Sequence, residues 1–149
     1  MEAPGSSKPS VPIEPLSLPH GVETILLVED DPALREMAAT LLKRLGYSVL
    51  SASNGVEALG LLTQYSIGQI DLLFTDLVMP QMNGKELADR MFSLSPHTRV
   101  LFTSAYTDQS ILHQGVLSDG VAILPKPYSP SALAHKVREV LDAPASQVI

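Results

Sequence analysis

Runs of consecutive apolar residues recur along this chain and alternate with segments whose apolar residues repeat at helical spacing. Such runs are typical of strands that are buried on both faces of a parallel sheet. The predicted strands cover residues 25–28, 47–52, 70–75, 99–104 and 121–124. Because a helical segment follows each strand, the pattern predicts a (βα)5 arrangement. Right-handed crossovers would then give a doubly wound, five-stranded parallel sheet.

Local signals mark where the helices begin and end. After the first strand, Asp31 is a candidate N-cap, Pro32 suits the first helical position and Gly46 suits the C-terminal stop. The remaining helices are predicted at 56–65, 85–93, 109–117 and 131–141.

The first twenty residues differ in composition from the rest of the chain. They hold five of its twelve prolines, which exclude a helix and any central strand. We therefore predict a Pro/Ser-rich linker or tail at 1–22 and one domain at 23–143. Residues 144–149 would form a short C-terminal tail.

Composition excludes several kinds of site and partner. The chain has no cysteine, so disulfides and thiolate metal sites are excluded. Its net charge of −6 argues against diffuse attraction to nucleic acid or to anionic lipid. No apolar run approaches the roughly 18 residues of a membrane span, and the first residues lack the pattern of a signal peptide. We therefore expect a cytoplasmic protein without nucleic-acid or direct membrane contact.

Polar groups cluster where the predicted strands end. They are Glu29, Asp30, Asp31, Asp76, Ser104 and Lys126. The carboxyl ends of parallel strands share one edge of the sheet, where ligands bind in such folds. Two carboxylates about 5 Å apart repel by roughly 3 kcal/mol at an effective dielectric near 20, so the cluster would raise its pKa values or recruit a cation. Oxygen ligands without cysteine or histidine favour Mg²⁺.

These residue types can be given distinct roles. Asp31 is expected to cap the helix, which leaves Glu29 and Asp30 to face the metal. The Asp76 carboxylate can act as a nucleophile toward a phosphoryl donor and form an acyl phosphate. Phosphoryl transfer depends on positioning and charge neutralisation, which the Lys126 ammonium and the Ser104 hydroxyl can supply.

Four stretches of the sequence together resemble the receiver domains of two-component signalling. They are residues 27–31, 75–84, 103–105 and 126–128, and the resemblance spans 23–143. It implies a flavodoxin-like receiver fold. The Pro/Ser-rich start and the Ser-Ala-Tyr-Thr-Asp stretch at 104–108 are most similar to the C-terminal receivers of hybrid sensor histidine kinases.

The resemblance also implies a set of site residues and a donor. Asp76 would be the phosphoacceptor, assisted by Lys126 and Ser104. The Mg²⁺ ligands would be Asp30, Asp76, Glu29 and the backbone carbonyl of Val78. The donor would be a phosphohistidine on a histidine kinase or a histidine phosphotransfer domain, and the receiver would also hydrolyse its own acyl phosphate. One departure is Ile123, which stands where many receivers carry Tyr or Phe.

Several other functions are compatible with parts of this pattern. A degenerate receiver that acts as a phosphorylation-independent scaffold is the main one, and a stand-alone receiver competes with a hybrid-kinase fragment. The last two predicted helices could support a homodimer. A haloacid-dehalogenase-type phosphatase would need an acid where Val78 stands. Nucleotide-binding and FMN-binding proteins would need a phosphate-binding glycine loop after the first strand, where this chain has acids.

Overall fold

The computed structural model describes residues 18–62, 70–105 and 121–143. Its strands are β1 Thr24–Val28, β2 Ser48–Ala52, β3 Leu72–Asp76, β4 Arg99–Ser104 and β5 Ile123–Pro125. They form one parallel sheet in the order β2-β1-β3-β4-β5. The predicted doubly wound α/β fold is therefore confirmed. The chain reverses its direction of winding between β1 and β3, so the edge above these two strands is the switch point of the sheet.

Four helices lie within the described residues. They are α1 Pro32–Arg44, α2 Gly55–Leu61, α3 Gly84–Leu94 and α4 Pro130–Asp142. The Asp31 carboxylate accepts hydrogen bonds from the first turn of α1, and Gly46 takes a φ of 106° just after that helix, so the predicted cap and stop are confirmed. The helix predicted at 109–117, like the end of the one predicted at 56–65, lies outside the described residues. None of the described helices is long and apolar enough to cross a membrane.

The central strands β1 and β3 are buried on both faces, as their apolar runs indicated. Ile25, Leu27 and Phe74 pack with α1 and α4, while Leu26 and Leu73 pack with α2 and α3 on the other side. All five side chains are 2% exposed or less. Burial of a side chain of this size stabilises the fold by roughly 1.5–3 kcal/mol. The two apolar layers therefore fix the strand register, and with it the height at which each strand ends.

The segment before β1 packs against the core and is hydrogen-bonded to α4. Leu18 is buried in the core formed with α1 and α4. Arg138 of α4 donates to the His20 carbonyl at 3.0 Å and to the Glu23 carboxylate at 2.7 Å, and it also pairs with Asp142. Part of the segment predicted as a linker thus contacts the domain directly.

Arg138→Met should make stability less dependent on pH. The hydrogen bond from Arg138 lowers the pKa of Glu23, so the stabilisation is present above the ordinary carboxyl pKa and is lost as pH falls through the lowered one. We expect urea unfolding to show a loss of about 1–2 kcal/mol at pH 7 that shrinks below about pH 4. The control is Arg90→Met, because within the described part of the chain Arg90 forms only an exposed pair with Glu86, at 3.6 Å. An equal loss for Arg138→Met at both pH values would contradict this account.

Candidate functional site

Three carboxylates meet at the switch point of the sheet. Glu29 and Asp30 directly follow β1, and Asp76 ends the neighbouring strand β3. One carboxylate oxygen from each lies within 4.8 Å of the other two. Glu29 and Asp76 are 2% and 6% exposed, whereas Asp30 is exposed. The cluster therefore has a buried floor and an open side.

Lys126 supplies the positive charge inside this cluster. Its Nζ atom lies 2.9 Å from Glu29 Oε1 and 2.9 Å from Asp76 Oδ2. The Lys126 backbone nitrogen donates to the Ser104 carbonyl at 2.9 Å, and the Lys126–Pro127 bond is cis. Burial works to lower the pKa of Lys126, but the hydrogen bonds and charges of Asp76 and Glu29 outweigh it and raise that pKa. Lys126 is therefore an ammonium at neutral pH.

The buried carboxylate of Glu29 remains incompletely neutralised. Burial raises its pKa, and the hydrogen bond from Lys126 only partly opposes that effect. Its Oε2 accepts a hydrogen bond from the backbone nitrogen of Asp31 at 3.1 Å. Three carboxylates thus face one ammonium, and all their donor atoms are oxygens. This set of residues fits a hard divalent cation such as Mg²⁺.

The loop after β3 fixes the Asp76 side chain and turns the chain away from the site. Asp76 Oδ1 accepts from the backbone nitrogen of Val78 at 3.2 Å. The Leu77 nitrogen donates to the Thr103 carbonyl, and the Leu77 carbonyl accepts from the Gly84 nitrogen at 2.8 Å. The two Asp76 oxygens therefore have different partners, because Oδ2 is paired with Lys126. That arrangement holds the carboxylate in one orientation.

The remaining predicted residues lie around this centre. Ser104 is buried at the end of β4, one residue beyond Thr103, which pairs with Asp76 in the sheet. Ile123 begins β5 opposite Phe102 and is partly buried in the core beside α2 and α3. The structure thus places Ser104 at the expected edge and gives Ile123 a packing role at its position.

The sequence did not single out Arg35, which also contacts the site. Arg35 is the fourth residue of α1, and its Nη1 atom donates to the Glu29 carbonyl at 2.7 Å. A cation near a helix N-terminus is disfavoured by the helix dipole. An arginine in this unfavourable position, immediately after an acidic loop, is the sequence feature that could have identified Arg35 as a residue of the site.

Comparison with known proteins decides the family. Residues 25–138 match the model of the response regulator receiver domain. The chain belongs to this family. It is 34% identical over 122 residues to the sensor kinase CckA of Brucella abortus, covering 82% of this chain and 13% of that protein. It is also 30% identical to the response regulator receiver protein CpdR of the same organism, covering 82% of this chain and 99% of CpdR.

Solved structures agree with the family and the fold. The receiver domain of the hybrid histidine kinase CckA superposes with a TM-score of 0.67 at 37% identity, covering 80% of this chain and 99% of that one. The chemotaxis protein CheY4 of Vibrio cholerae gives a TM-score of 0.70 at 26% identity, covering 80% and 99% of the two chains. This receiver domain of two-component signalling thus spans a small part of one relative and nearly all of another.

Proposed function

We propose that this receiver accepts a phosphoryl group from a phosphohistidine onto Asp76, with Mg²⁺ as its cofactor, and thereby switches its protein interactions. The observation that carries the proposal is the position of Asp76. It lies buried at the switch point, with one oxygen held by Lys126 and the other by a backbone N–H. An oriented carboxylate beside a fixed cation is the arrangement that nucleophilic attack on phosphorus requires.

Each residue of the site would have a defined role in the transfer. An Asp76 oxygen would bond to phosphorus while the bond to the donor breaks, which leaves an acyl phosphate. Lys126 would stabilise the charge on the phosphoryl oxygens, and Ser104 would donate a hydrogen bond to one of them. The metal would be held by Asp30, Asp76, Glu29 and the Val78 carbonyl. When bound, Mg²⁺ supplies further neutralisation of the phosphoryl oxygens.

The proposed partner is a histidine kinase or a histidine phosphotransfer domain. Its histidine must reach Asp76, so the partner must cover the surface next to the acidic loop. A groove of about 570 Å³ runs there between α1 and the start of α4. Ala33 and Pro130 line it just after the chain leaves the site, and Met37 exposes an apolar side chain in it. We propose that a helix of the donor covers this groove, because apolar grooves of this kind accept amphipathic helices.

Acetyl phosphate with Mg²⁺ should add one phosphoryl group to the protein, and intact mass should reveal it. Asp76→Asn should abolish the gain, because the amide is not a nucleophile for this reaction. Asp89→Asn is the matched control, since Asp89 is exposed on α3 and pairs only with Lys85 among the described residues. Omitting Mg²⁺ should also remove the gain.

The opposite outcome would favour a different function. If the folded protein gained no mass and bound no Mg²⁺, a phosphorylation-independent interaction scaffold would become the better interpretation. If acetyl phosphate worked but phosphorylated histidine phosphotransfer domains did not, the acceptor chemistry would stand and the proposed class of donor would be wrong.

A further inference from the structure

Arg35 bonds to the loop that carries two of the three carboxylates. Its guanidinium is half-buried, and Nη1 donates to the Glu29 carbonyl at 2.7 Å. The Arg35 backbone continues α1, with its nitrogen bonded to the Asp31 carbonyl at 2.9 Å. The side chain therefore reaches back over the start of the helix to the end of β1. This contact is a strong one, because the donor is charged and the distance is short.

With this hydrogen bond from Arg35, every polar group of Glu29 has a partner. Its backbone nitrogen donates to the Ala52 carbonyl at 3.1 Å, which extends the pairing of β1 with β2. Its carboxylate is held on one side by Lys126 and on the other by the Asp31 nitrogen. The remaining group is the carbonyl that Arg35 holds. That carbonyl belongs to the peptide between Glu29 and Asp30. The orientation of this peptide sets the direction in which the Asp30 side chain projects from the backbone.

The charge of Arg35 also acts on a carboxylate of α2. The pKa of Glu57 in α2 is lowered, first by hydrogen bonds from Ser53 and additionally by the charge of Arg35. Ser53 binds Glu57 Oε1 through its backbone nitrogen at 2.7 Å and through its hydroxyl at 2.6 Å. Arg35 thus donates to the loop that precedes α1, and its charge also acts on Glu57.

We propose that Arg35 is a positioning residue for the metal site, and this inference rests on the proposed function. It holds the Glu29–Asp30 peptide so that the exposed Asp30 carboxylate faces Asp76. Asp30 is the one member of the cluster that burial does not restrain. Its geometry therefore depends on its own backbone, and Arg35 fixes that backbone.

The test is the affinity of the protein for Mg²⁺ alone, measured by titration calorimetry. Arg35→Met removes every donor and keeps an unbranched side chain. We expect it to weaken Mg²⁺ binding about tenfold or more, as is typical when a residue that orients a metal ligand is lost. Arg35→Lys keeps the charge and a donor and should recover most of the affinity. Amide resonances of Asp30 and Asp31 should shift in metal-free Arg35→Met.

Arg44→Met is the matched control. Arg44 is exposed at the far end of the same helix, and the substitution removes the same charge. Equal weakening in both variants would show that net charge alone is responsible and would overturn the inference, as would parental affinity in Arg35→Met. Arg35→Ala replaces the methionine variant if thermal unfolding shows that the latter does not fold. If the parent itself bound no Mg²⁺, the proposed function would fail together with the inference.

Discussion

Lys126→Met should slow the phosphorylation of Asp76 by acetyl phosphate about 100- to 1000-fold. That is the usual cost of removing one fixed donor from the charge that develops in a transition state. Lys126 is also the cation that contacts both buried carboxylates, at 2.9 Å each. Without it, Asp76 would lose the partner of one oxygen, and its orientation would loosen. The rate of mass gain at fixed acetyl phosphate and Mg²⁺ concentrations measures the effect.

The control for this substitution is Lys85→Met. Lys85 lies in the first turn of α3, and its only ion pair with a described residue is an exposed one with Asp89, so its loss removes the same charge without touching the site. Its phosphorylation rate should stay within about twofold of the parent, because exposed pairs contribute little. A Lys126→Met protein that is folded and reacts within about threefold of the parent would contradict the role proposed for this residue.

Gly84→Ala should destabilise the protein by about 3 kcal/mol. A Cβ atom at position 84 would collide with the Asp76 carbonyl oxygen and lie 2.9 Å from the Leu77 Cα. Both neighbours are backbone atoms of the loop that holds the acceptor, so neither can move aside as a flexible side chain could. The loop must therefore shift, and the hydrogen bond that the Gly84 N–H donates to the Leu77 carbonyl must lengthen. Urea unfolding measures the loss, and the phosphorylation rate of the folded fraction should also fall.

Gly60→Ala provides the opposite case on the same sheet face. Gly60 lies inside α2, and a Cβ atom there would meet no atom of the described residues within 4 Å. Alanine should stabilise this helix by roughly 0.5–1 kcal/mol, because it loses less backbone entropy on folding than glycine. If the two substitutions had similar effects, crowding at Gly84 would not be the cause of its loss of stability.

Local sequence patterns were enough to predict most of the fold. The continuous apolar runs indicated strands buried on both faces, and the burial of Leu26 and Leu27 on opposite faces has that cause. The Asp31 cap and the Gly46 stop were also predictable, because short-range sterics and hydrogen bonding decide them. Bounds were less exact: β5 begins at Ile123 rather than at 121, since pairing with β4 defines its ends.

The candidate site was predictable only as a set of residues at one edge. That Asp76 and the acids after β1 would approach one another followed from the rule that parallel strands end at a shared edge. Which carboxylate would be buried could not be predicted from residue types and spacing. Glu29 is enclosed and Asp30 is open because the first points toward Lys126 and the second toward the surface. Such differences depend on neighbours about a hundred residues away in the chain.

The sequence by itself therefore determined the type of fold, the caps and the residues at the strand ends, since these depend on periodicity and on contacts between near neighbours in the chain. Only the tertiary structure decided which groups touch. Arg35 donates to the Glu29 carbonyl, and Arg138 binds the chain before β1; no sequence motif predicts either contact. The physical reason is that hydrogen bonds and ion pairs act over a few ångströms, so the packing of helices on the sheet must first bring their partners together.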